Sequence, residues 1–208
     1  MKKKIAVLVS GGGTNLQALI DAQLRGELGG GEIAAVISTK AGAYALERAA
    51  KVNIPGYVLP RKDFESVPAM TAALVKLLRE LEIDLVVLAG CMTVFTEELV
   101  QAYPNAIMNV HPALIPSFCG TGFYGLRVHR EALKYGVKLS GATVHFVSEE
   151  CDGGPIIAQK SVEVRPDDTP ESLQKRIMEQ AEWILLPQAV RLFCEDRITV
   201  DGRTVVIR

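Results

Sequence analysis

Residues 5–24, IAVLVSGGGTNLQALIDAQL, decide the fold because the hydrophobic pattern changes its period across a run of glycines. Residues 5–10 form a continuous run rich in β-branched residues and leucine, which is typical of a strand buried on both faces. After the three glycines, apolar residues recur at helical spacing through residues 14–24. The segment therefore predicts a strand, a tight turn and a helix.

The same alternation continues along the chain. Further strands are predicted at residues 32–38, 57–59, 84–89, 107–111, 142–147 and 156–164, and helices at 44–52, 66–81, 96–103, 126–135 and 169–195. Thr96 and Thr169 are predicted helix caps, and Asp201-Gly202 is the predicted turn of a terminal hairpin. The pattern predicts a single α/β domain over residues 1–208, with a doubly wound, mostly parallel sheet, a long C-terminal helix and a hairpin.

Composition excludes several classes of protein. The 208 residues carry 23 Lys and Arg against 24 Asp and Glu, so a net charge of −1 offers no general field for a nucleic acid. No stretch is long and apolar enough to predict a membrane span, and the apolar run after Met1 is too short for a signal peptide. A cytoplasmic location is expected.

The four cysteines are widely spaced and form no CxxC pair or Cys/His cluster. We interpret them as buried or free thiols, and no metal site is predicted. They are Cys91, Cys119, Cys151 and Cys194.

The glycine turn places unpaired backbone N–H groups at a helix N-terminus, where a phosphate is favoured. No Gly-Lys-Ser/Thr follows, so the pattern does not indicate a P-loop. Gly11 and Gly13 satisfy only part of the dinucleotide pattern, because Leu16 occupies the third glycine position and no acidic residue ends the second strand. Two interpretations stay open: a site for a phosphate monoester, or a turn needed only for chain reversal.

Asn109 and His111 lie two residues apart at the end of a predicted strand, so both side chains leave the same face of the sheet. An irregular loop with two prolines and three glycines follows at residues 112–125, and such loops are functional or disordered. Asp152 lies later, on a Gly-Gly-Pro turn. An amide, an imidazole and a carboxylate together can stabilise an oxyanion and move a proton in acyl transfer.

If Asp152 approaches His111, its negative charge is expected to raise the pKa of the imidazole and favour a proton-donating imidazolium. The chain has no GxSxG nucleophile elbow, so we expect direct attack by a substrate amine without an acyl-enzyme. His129 and His145 are interpreted as surface or structural residues, although His145 shares a strand face with Thr143.

Four segments, VSGGGTNLQ, LAGCMTVF, NVHPALIPSFCGTGFYG and HFVSEECDGGPII, closely resemble the phosphoribosylglycinamide formyltransferase family of purine synthesis. The resemblance runs nearly end to end, and its most specific part is Asn-x-His-Pro with a downstream Asp-Gly-Gly-Pro. It implies a Rossmann-like, formyltransferase-type fold and transfer of a formyl group from the co-substrate 10-formyltetrahydrofolate to the amine of glycinamide ribonucleotide. The partners implied are these small molecules, and a monomer and a homodimer both stay open.

The resemblance also implies a role for each matching residue. His111 would be the acid, Asn109 would hold the formyl oxygen, and Asp152 would tune His111 and relay a proton through water. Residues 1–110 would form the phosphate-binding half, and residues 111–208 the folate-side and C-terminal half. The phosphate loop falls on Gly12, Gly13, Thr14 and Asn15, and Glu182 matches a residue that binds the ribonucleotide.

The pterin is expected along the backbone of residues 92–95, beside Asn109 and Thr143, with residues 142–152 closing over it. These backbone positions are Met92, Thr93, Val94 and Phe95. Some relatives have an arginine at the position of Thr93 and a basic residue near Val67. The partner of the folate glutamate tail is therefore open, with Arg61 and Lys62 as candidates.

Four alternative functions would place different requirements on the sequence. A methionyl-tRNA formyltransferase would need a C-terminal domain and a basic surface for tRNA. A formyltetrahydrofolate hydrolase would need an extra N-terminal domain. A non-catalytic phosphosugar-binding module would need the glycine turn but not Asn109, His111 and Asp152. A nicotinamide oxidoreductase would need the missing third glycine and the acidic ribose ligand.

Overall fold

A seven-stranded sheet forms the centre of the molecule in a computed structural model, which describes residues 2–208. Its strands are β1 (Lys4–Val9), β2 (Glu32–Ser38), β3 (Gly56–Val58), β4 (Leu85–Leu88), β5 (Ile107–His111), β6 (Leu139–Phe146) and β7 (Ile156–Glu163). Their spatial order is β3-β2-β1-β4-β5-β6-β7. The first five strands are parallel, whereas β6 runs antiparallel to both of its neighbours. The predicted mostly parallel α/β sheet is confirmed.

Helices cover both faces of this sheet. They are α1 (Thr14–Leu24), α2 (Tyr44–Ala50), a 3-10 turn (Arg61–Asp63), α3 (Val67–Glu80), α4 (Glu97–Ala102), α5 (Leu126–Tyr135), α6 (Pro170–Ile177), a π-helical segment (Met178–Glu182) and α7 (Trp183–Cys194). Alternate residues of β1 enter two separate cores. One core packs against α1, α2, α6 and α7, and the other against α3 and α4.

The predicted helix caps had different outcomes. The Thr169 hydroxyl accepts from the Ser172 N–H at 3.2 Å and the Ser172 hydroxyl accepts from the Thr169 N–H at 3.0 Å, which is a reciprocal capping box. Thr96 precedes α4 as predicted, but its hydroxyl caps no N–H of the helix. Its own backbone N–H instead donates to Thr71 Oγ1 of α3, which ties the start of α4 to its neighbour.

The predicted long helix over residues 169–195 is helical, but the π-helical segment separates α6 from α7. Pro187 lies inside α7, five residues after the π-helical segment ends at Glu182. A proline has no N–H to donate, so the carbonyl group of Trp183, four residues earlier, loses its usual helical partner. A widened turn of this kind is often found at functional sites.

The chain ends in the predicted hairpin, formed by β8 (Ile198–Asp201) and β9 (Thr204–Ile207). Gly202 adopts a left-handed conformation with φ 56° at the turn. Within residues 2–208, none of the helices has the length and apolar content needed to span a bilayer. In the same part of the chain, His, Cys, Asp and Glu side chains do not gather in groups of three as metal ligands would.

Candidate active site

Three segments that could bind a ligand or carry out chemistry meet at one edge of the sheet. This edge is formed by the carboxyl ends of β1, β4 and β5. The segments are the glycine turn after β1, residues 90–95 after β4, and the last residues of β5. Parallel neighbouring strands bring their carboxyl ends to the same edge, which is where open α/β sheets bind ligands. Because β6 runs antiparallel to β5, the β6–β7 turn starts beside the first residues of β5, and it folds back from there until Asp152 lies next to Asn109 and His111.

Asn109, His111 and Asp152 lie together at this edge, as the sequence predicted. The two carboxylate oxygens of Asp152 face different partners: Oδ2 lies 3.5 Å from His111 Nδ1, and Oδ1 lies 3.4 Å from Asn109 Nδ2. The side chains of His111 and Asp152 are more than nine-tenths buried. A carboxylate 41 residues beyond His111 therefore completes a compact polar cluster in a largely apolar surrounding.

The backbone around Asp152 holds its carboxylate in place. Asp152 adopts a left-handed conformation with φ 55°, and its Oδ2 accepts a hydrogen bond from the Gly120 N–H at 2.9 Å. A Cβ atom on Gly154 would lie 1.8 Å from the Phe146 carbonyl oxygen, so only glycine fits at this point of the turn. The turn and the loop at residues 112–125 thus fix the carboxylate from two sides.

The Asp152 charge acts to raise the pKa of His111, as predicted, but the expected net rise, which would favour an imidazolium, is wrong. Burial lowers this pKa below its ordinary value, and the opposing effects of the Asp152 charge and the Phe118 carbonyl are smaller. His111 Nε2 lies 2.8 Å from the Phe118 carbonyl oxygen, so this nitrogen carries a proton and donates it. Burial alone would raise the pKa of Asp152, but its contacts with His145, His111 and the Gly120 N–H together lower this pKa below its ordinary value.

His145 is a fourth member of the cluster, and of its two interpretations, surface or structural, burial excludes the surface one. It is 1% exposed, and it lies directly opposite Asn109 in the β5–β6 ladder. His145 Nδ1 lies 2.8 Å from the Phe146 carbonyl oxygen, and Nε2 lies 3.2 Å from Asn109 Nδ2 and 3.6 Å from Asp152 Oδ1. His145 therefore orients the Asn109 side chain.

His129 is also buried, at 0% exposure on α5, and so is structural and not a surface residue. Neither ring nitrogen has a hydrogen-bond partner among residues 2–208. Burial, with a smaller effect of His111, lowers the pKa of His129 to about 4, so its imidazole is neutral near pH 7.

Thr143 lies opposite His111 in the β5–β6 ladder, and its side chain holds the loop at residues 112–125. Its hydroxyl donates to the Ala113 carbonyl at 2.7 Å and accepts from the Ile115 N–H at 3.1 Å. Gln159 Nε2 adds a third bond to the same hydroxyl, at 3.0 Å. Because Thr143 is fully buried and its hydroxyl is fully used, the geometry does not favour the folate contact expected of it.

The glycine turn is shaped by its contact with α2. Gly13 caps α1 in a left-handed conformation with φ 70°, and a Cβ atom there would lie 2.6 Å from Ala45 Cβ. Gly11 and Gly12 are exposed, with open space where a Cβ would stand. Arg48 Nε donates to the Gly12 carbonyl at 2.8 Å, a contact that the sequence did not predict.

Glu182 connects the C-terminal helices to the glycine turn. Its Oε2 accepts from Asn15 Nδ2 at 2.7 Å, and the carboxyl is 6% exposed. Burial raises the pKa of Glu182 to about 7, and the Asn15 bond lowers it by less. Asn15 Oδ1 is buried and has no partner within residues 2–208. Glu182 and Asn15 therefore lie side by side.

The segment after β4 offers a partly apolar surface at the same edge of the sheet. Met92 and Val94 are 55% and 76% exposed, whereas Phe95 packs against the core. The Met92 N–H donates to Ser10 Oγ at 2.9 Å, which ties this segment to the end of β1. Thr93 is half-buried between the two exposed residues. Exposed large apolar side chains beside a polar cluster are typical of a ligand-binding surface.

Comparison with known proteins identifies the family. Residues 3–190 match the formyl transferase family. The chain is 42% identical over 196 residues to the phosphoribosylglycinamide formyltransferase of Haemophilus influenzae, covering 94% of this chain and 89% of that one. It is also similar to the crystal structure of glycinamide ribonucleotide transformylase 1 from Symbiobacterium toebii, with TM-score 0.93, 43% identity and coverage of 99% of this chain and 94% of that one.

A formyltetrahydrofolate deformylase from Pseudomonas syringae is similar at lower identity. The TM-score is 0.88 at 30% identity, and the match covers all of this chain but only 66% of the deformylase. By contrast, the two transferases match over most of their own length at more than 40% identity. The chain belongs to the formyl transferase family, in its phosphoribosylglycinamide formyltransferase branch.

Proposed function

We propose that this chain transfers the formyl group of 10-formyltetrahydrofolate to the amine of glycinamide ribonucleotide. The observation that carries the proposal is the meeting of Asn109, His111 and Asp152 at the same sheet edge as the glycine turn and Glu182. A phosphate-bearing acceptor on the glycine turn would thus lie beside groups suited to acyl transfer. The products are formylglycinamide ribonucleotide and tetrahydrofolate.

In this proposal the acceptor amine attacks the formyl carbon directly. The carbonyl oxygen gains negative charge, and the N–H groups of Asn109 and His111 stabilise it. The longer bond of the Asn109 amide, at 3.4 Å to Asp152, is the one that the formyl oxygen replaces. His111 uses its Nε2–H, which requires release of the Phe118 carbonyl. A neutral imidazole can serve as such a donor, which fits the lowered pKa of His111.

Asp152 is the proposed proton carrier. The attacking amine becomes positively charged in the tetrahedral intermediate, and the lowered pKa of Asp152 keeps a carboxylate present to accept its proton through water. The proton passes to N10 of the folate as the carbon–N10 bond breaks. Burial raises the pKa of the nearby Cys119 and Cys151 thiols, which makes either one a poor nucleophile and supports direct attack.

The acceptor phosphate is assigned to Gly12, Gly13, Thr14 and Asn15, and the rest of the ribonucleotide to Glu182. The pterin is assigned to the backbone of residues 92–95 next to Asn109. Arg61 and Lys62 are both exposed and stay candidates for the folate glutamate tail. The proposed location is the cytoplasm, and the oligomeric state is open between a monomer and a homodimer.

A spectroscopic transfer assay with 10-formyltetrahydrofolate and glycinamide ribonucleotide tests the proposal. His111→Ala and Asp152→Asn should each lower kcat on the order of 10²-fold or more, because each removes a donor or proton carrier. Formate release without the ribonucleotide would indicate a hydrolase instead. Turnover with methionyl-tRNA and none with the ribonucleotide would overturn the assignment.

A further inference from the structure

The three glycines of the turn all have their carbonyl groups engaged. Gly11 O accepts from the Ala45 N–H at 3.1 Å, Gly12 O from Arg48 Nε at 2.8 Å, and Gly13 O from the Gln17 N–H at 2.9 Å. No backbone carbonyl within residues 2–208 accepts from the Gly12 or Gly13 N–H. The turn therefore has its acceptors occupied and its donors available.

The Gly12–Gly13 peptide is the one whose direction depends on a side chain. The C=O and N–H of a trans peptide point in opposite directions, so a carbonyl fixed on Arg48 turns the Gly13 N–H away from α2. Without Arg48, the Gly12–Gly13 peptide has no side chain that fixes its direction and can rotate, because glycine populates both signs of φ. A rotated peptide would present its carbonyl oxygen, which repels an anion.

Arg48 is itself held in place by its surroundings. Its NH1 donates to Gln17 Oε1 at 2.8 Å, and its guanidinium lies 5.0 Å from the centre of the Tyr44 ring. Within residues 2–208 it has no carboxylate within ion-pair distance. Asp21 lies in the same cleft, but it accepts from Gln17 Nε2 at 2.8 Å. The positive charge next to the turn is thus not neutralised by a direct partner.

We infer that Arg48 is a positioning residue for the phosphate of the acceptor substrate, holding the Gly12 carbonyl so that the Gly13 N–H faces that phosphate. This inference rests on the proposed function for the identity of the ligand. It requires Arg48 to affect ligands that carry the phosphate and to leave folate binding unchanged. Its charge adds to the field of the α1 N-terminus at the same place.

Calorimetric titration of the full chain tests this inference with three ligands: glycinamide ribonucleotide, ribose 5-phosphate, and the glycinamide riboside that lacks the phosphate. Arg48→Ala should weaken binding of both phosphate-bearing ligands about tenfold, the effect of losing one hydrogen bond that serves a charged group. Binding of the riboside should change by less than about twofold. Trp183, the single tryptophan of the chain, lines the same cleft, so its fluorescence reports binding there.

Two further variants separate positioning from a general structural effect. Arg48→Lys retains a donor for the Gly12 carbonyl and should recover most of the lost affinity, although it cannot bridge to Gln17 in the same way. Lys51→Ala is the matched control, because Lys51 lies on the end of the same helix and over the same Tyr44 ring, 5.5 Å from its centre. It should leave phosphate binding unchanged.

Steady-state kinetics give a second readout. In Arg48→Ala, KM for the ribonucleotide should rise about tenfold, with KM for the folate and kcat nearly unchanged. Equal weakening of riboside and ribonucleotide, or no weakening of either, would overturn the role of Arg48. Wild-type protein that binds ribose 5-phosphate in an Arg48-dependent way but transfers no formyl group would overturn the proposed reaction and leave the phosphate role intact.

Discussion

Replacing Glu182 with glutamine should remove a pH-dependent loss of stability. Folding buries this carboxyl and raises its pKa to about 7 from an ordinary value of 4.5. The native state then binds a proton more tightly than the unfolded state, so ionisation opposes folding. The stability linked to the protonated form is fully present below pH 4.5 and is lost as the pH rises through about 7.

The size of the effect follows from the same two values. At about 1.4 kcal/mol per pH unit between 4.5 and 7, ionisation of Glu182 lowers the free energy of unfolding by about 3 kcal/mol. Glutamine cannot ionise, yet its amide oxygen can still accept the Asn15 bond. Glu182→Gln should therefore exceed wild-type stability by less than about 1 kcal/mol near pH 5 and by about 3 kcal/mol near pH 8.

Urea unfolding of both proteins at several pH values between about 5 and 8 measures this difference. Glu179→Gln is the control, because Glu179 lies in the same π-helical segment but is exposed, with only a 3.9 Å ion pair to Lys175. It should follow the wild-type curve. Parallel curves for wild type and Glu182→Gln would refute the reasoning, since the buried carboxyl would then contribute no pH dependence.

Two further substitutions test how the loop and the turn hold the cluster. Gly154→Ala should lower kcat on the order of tenfold or more, because a Cβ 1.8 Å from the Phe146 carbonyl must displace the turn that carries Asp152. An unchanged kcat in the transfer assay would show that the turn can adapt to the added atom. Thr143→Val should lower the free energy of unfolding by about 1–3 kcal/mol, because it leaves the Ile115 N–H and the Ala113 carbonyl unpaired. An unchanged urea midpoint would show that these two hydrogen bonds do not stabilise the loop.

Much of the fold could be predicted because local pattern and tertiary structure agree. The run at residues 5–10 is buried in the sheet centre, and its glycines end the strand where the pattern changes. The π-helical segment could not be predicted, because residues 169–195 have a continuous helical pattern apart from Pro187. A proline indicates that hydrogen bonds are lost, but not which turn widens to accommodate the loss.

The site was predictable in part, for a related reason. Asn109 and His111 share a face by strand geometry alone, whereas the contact of His145 with Asn109 depends on the register between β5 and β6. Arg48 reaches the glycine turn only because α2 packs beside it. The direction of the His111 pKa depends on how deeply the folded chain buries the ring, and sequence spacing does not determine this depth.

The antiparallel direction of β6 determines how the site can fail. Asp152 is carried by the β6–β7 hairpin, and two strand ladders fix its alignment with β5. Such ladders slip only in whole-residue steps of about 3.3 Å, which is more than enough to separate the carboxylate from its imidazole partner. A register shift of this hairpin would therefore separate Asp152 from His111 completely and not by a fraction of an ångström.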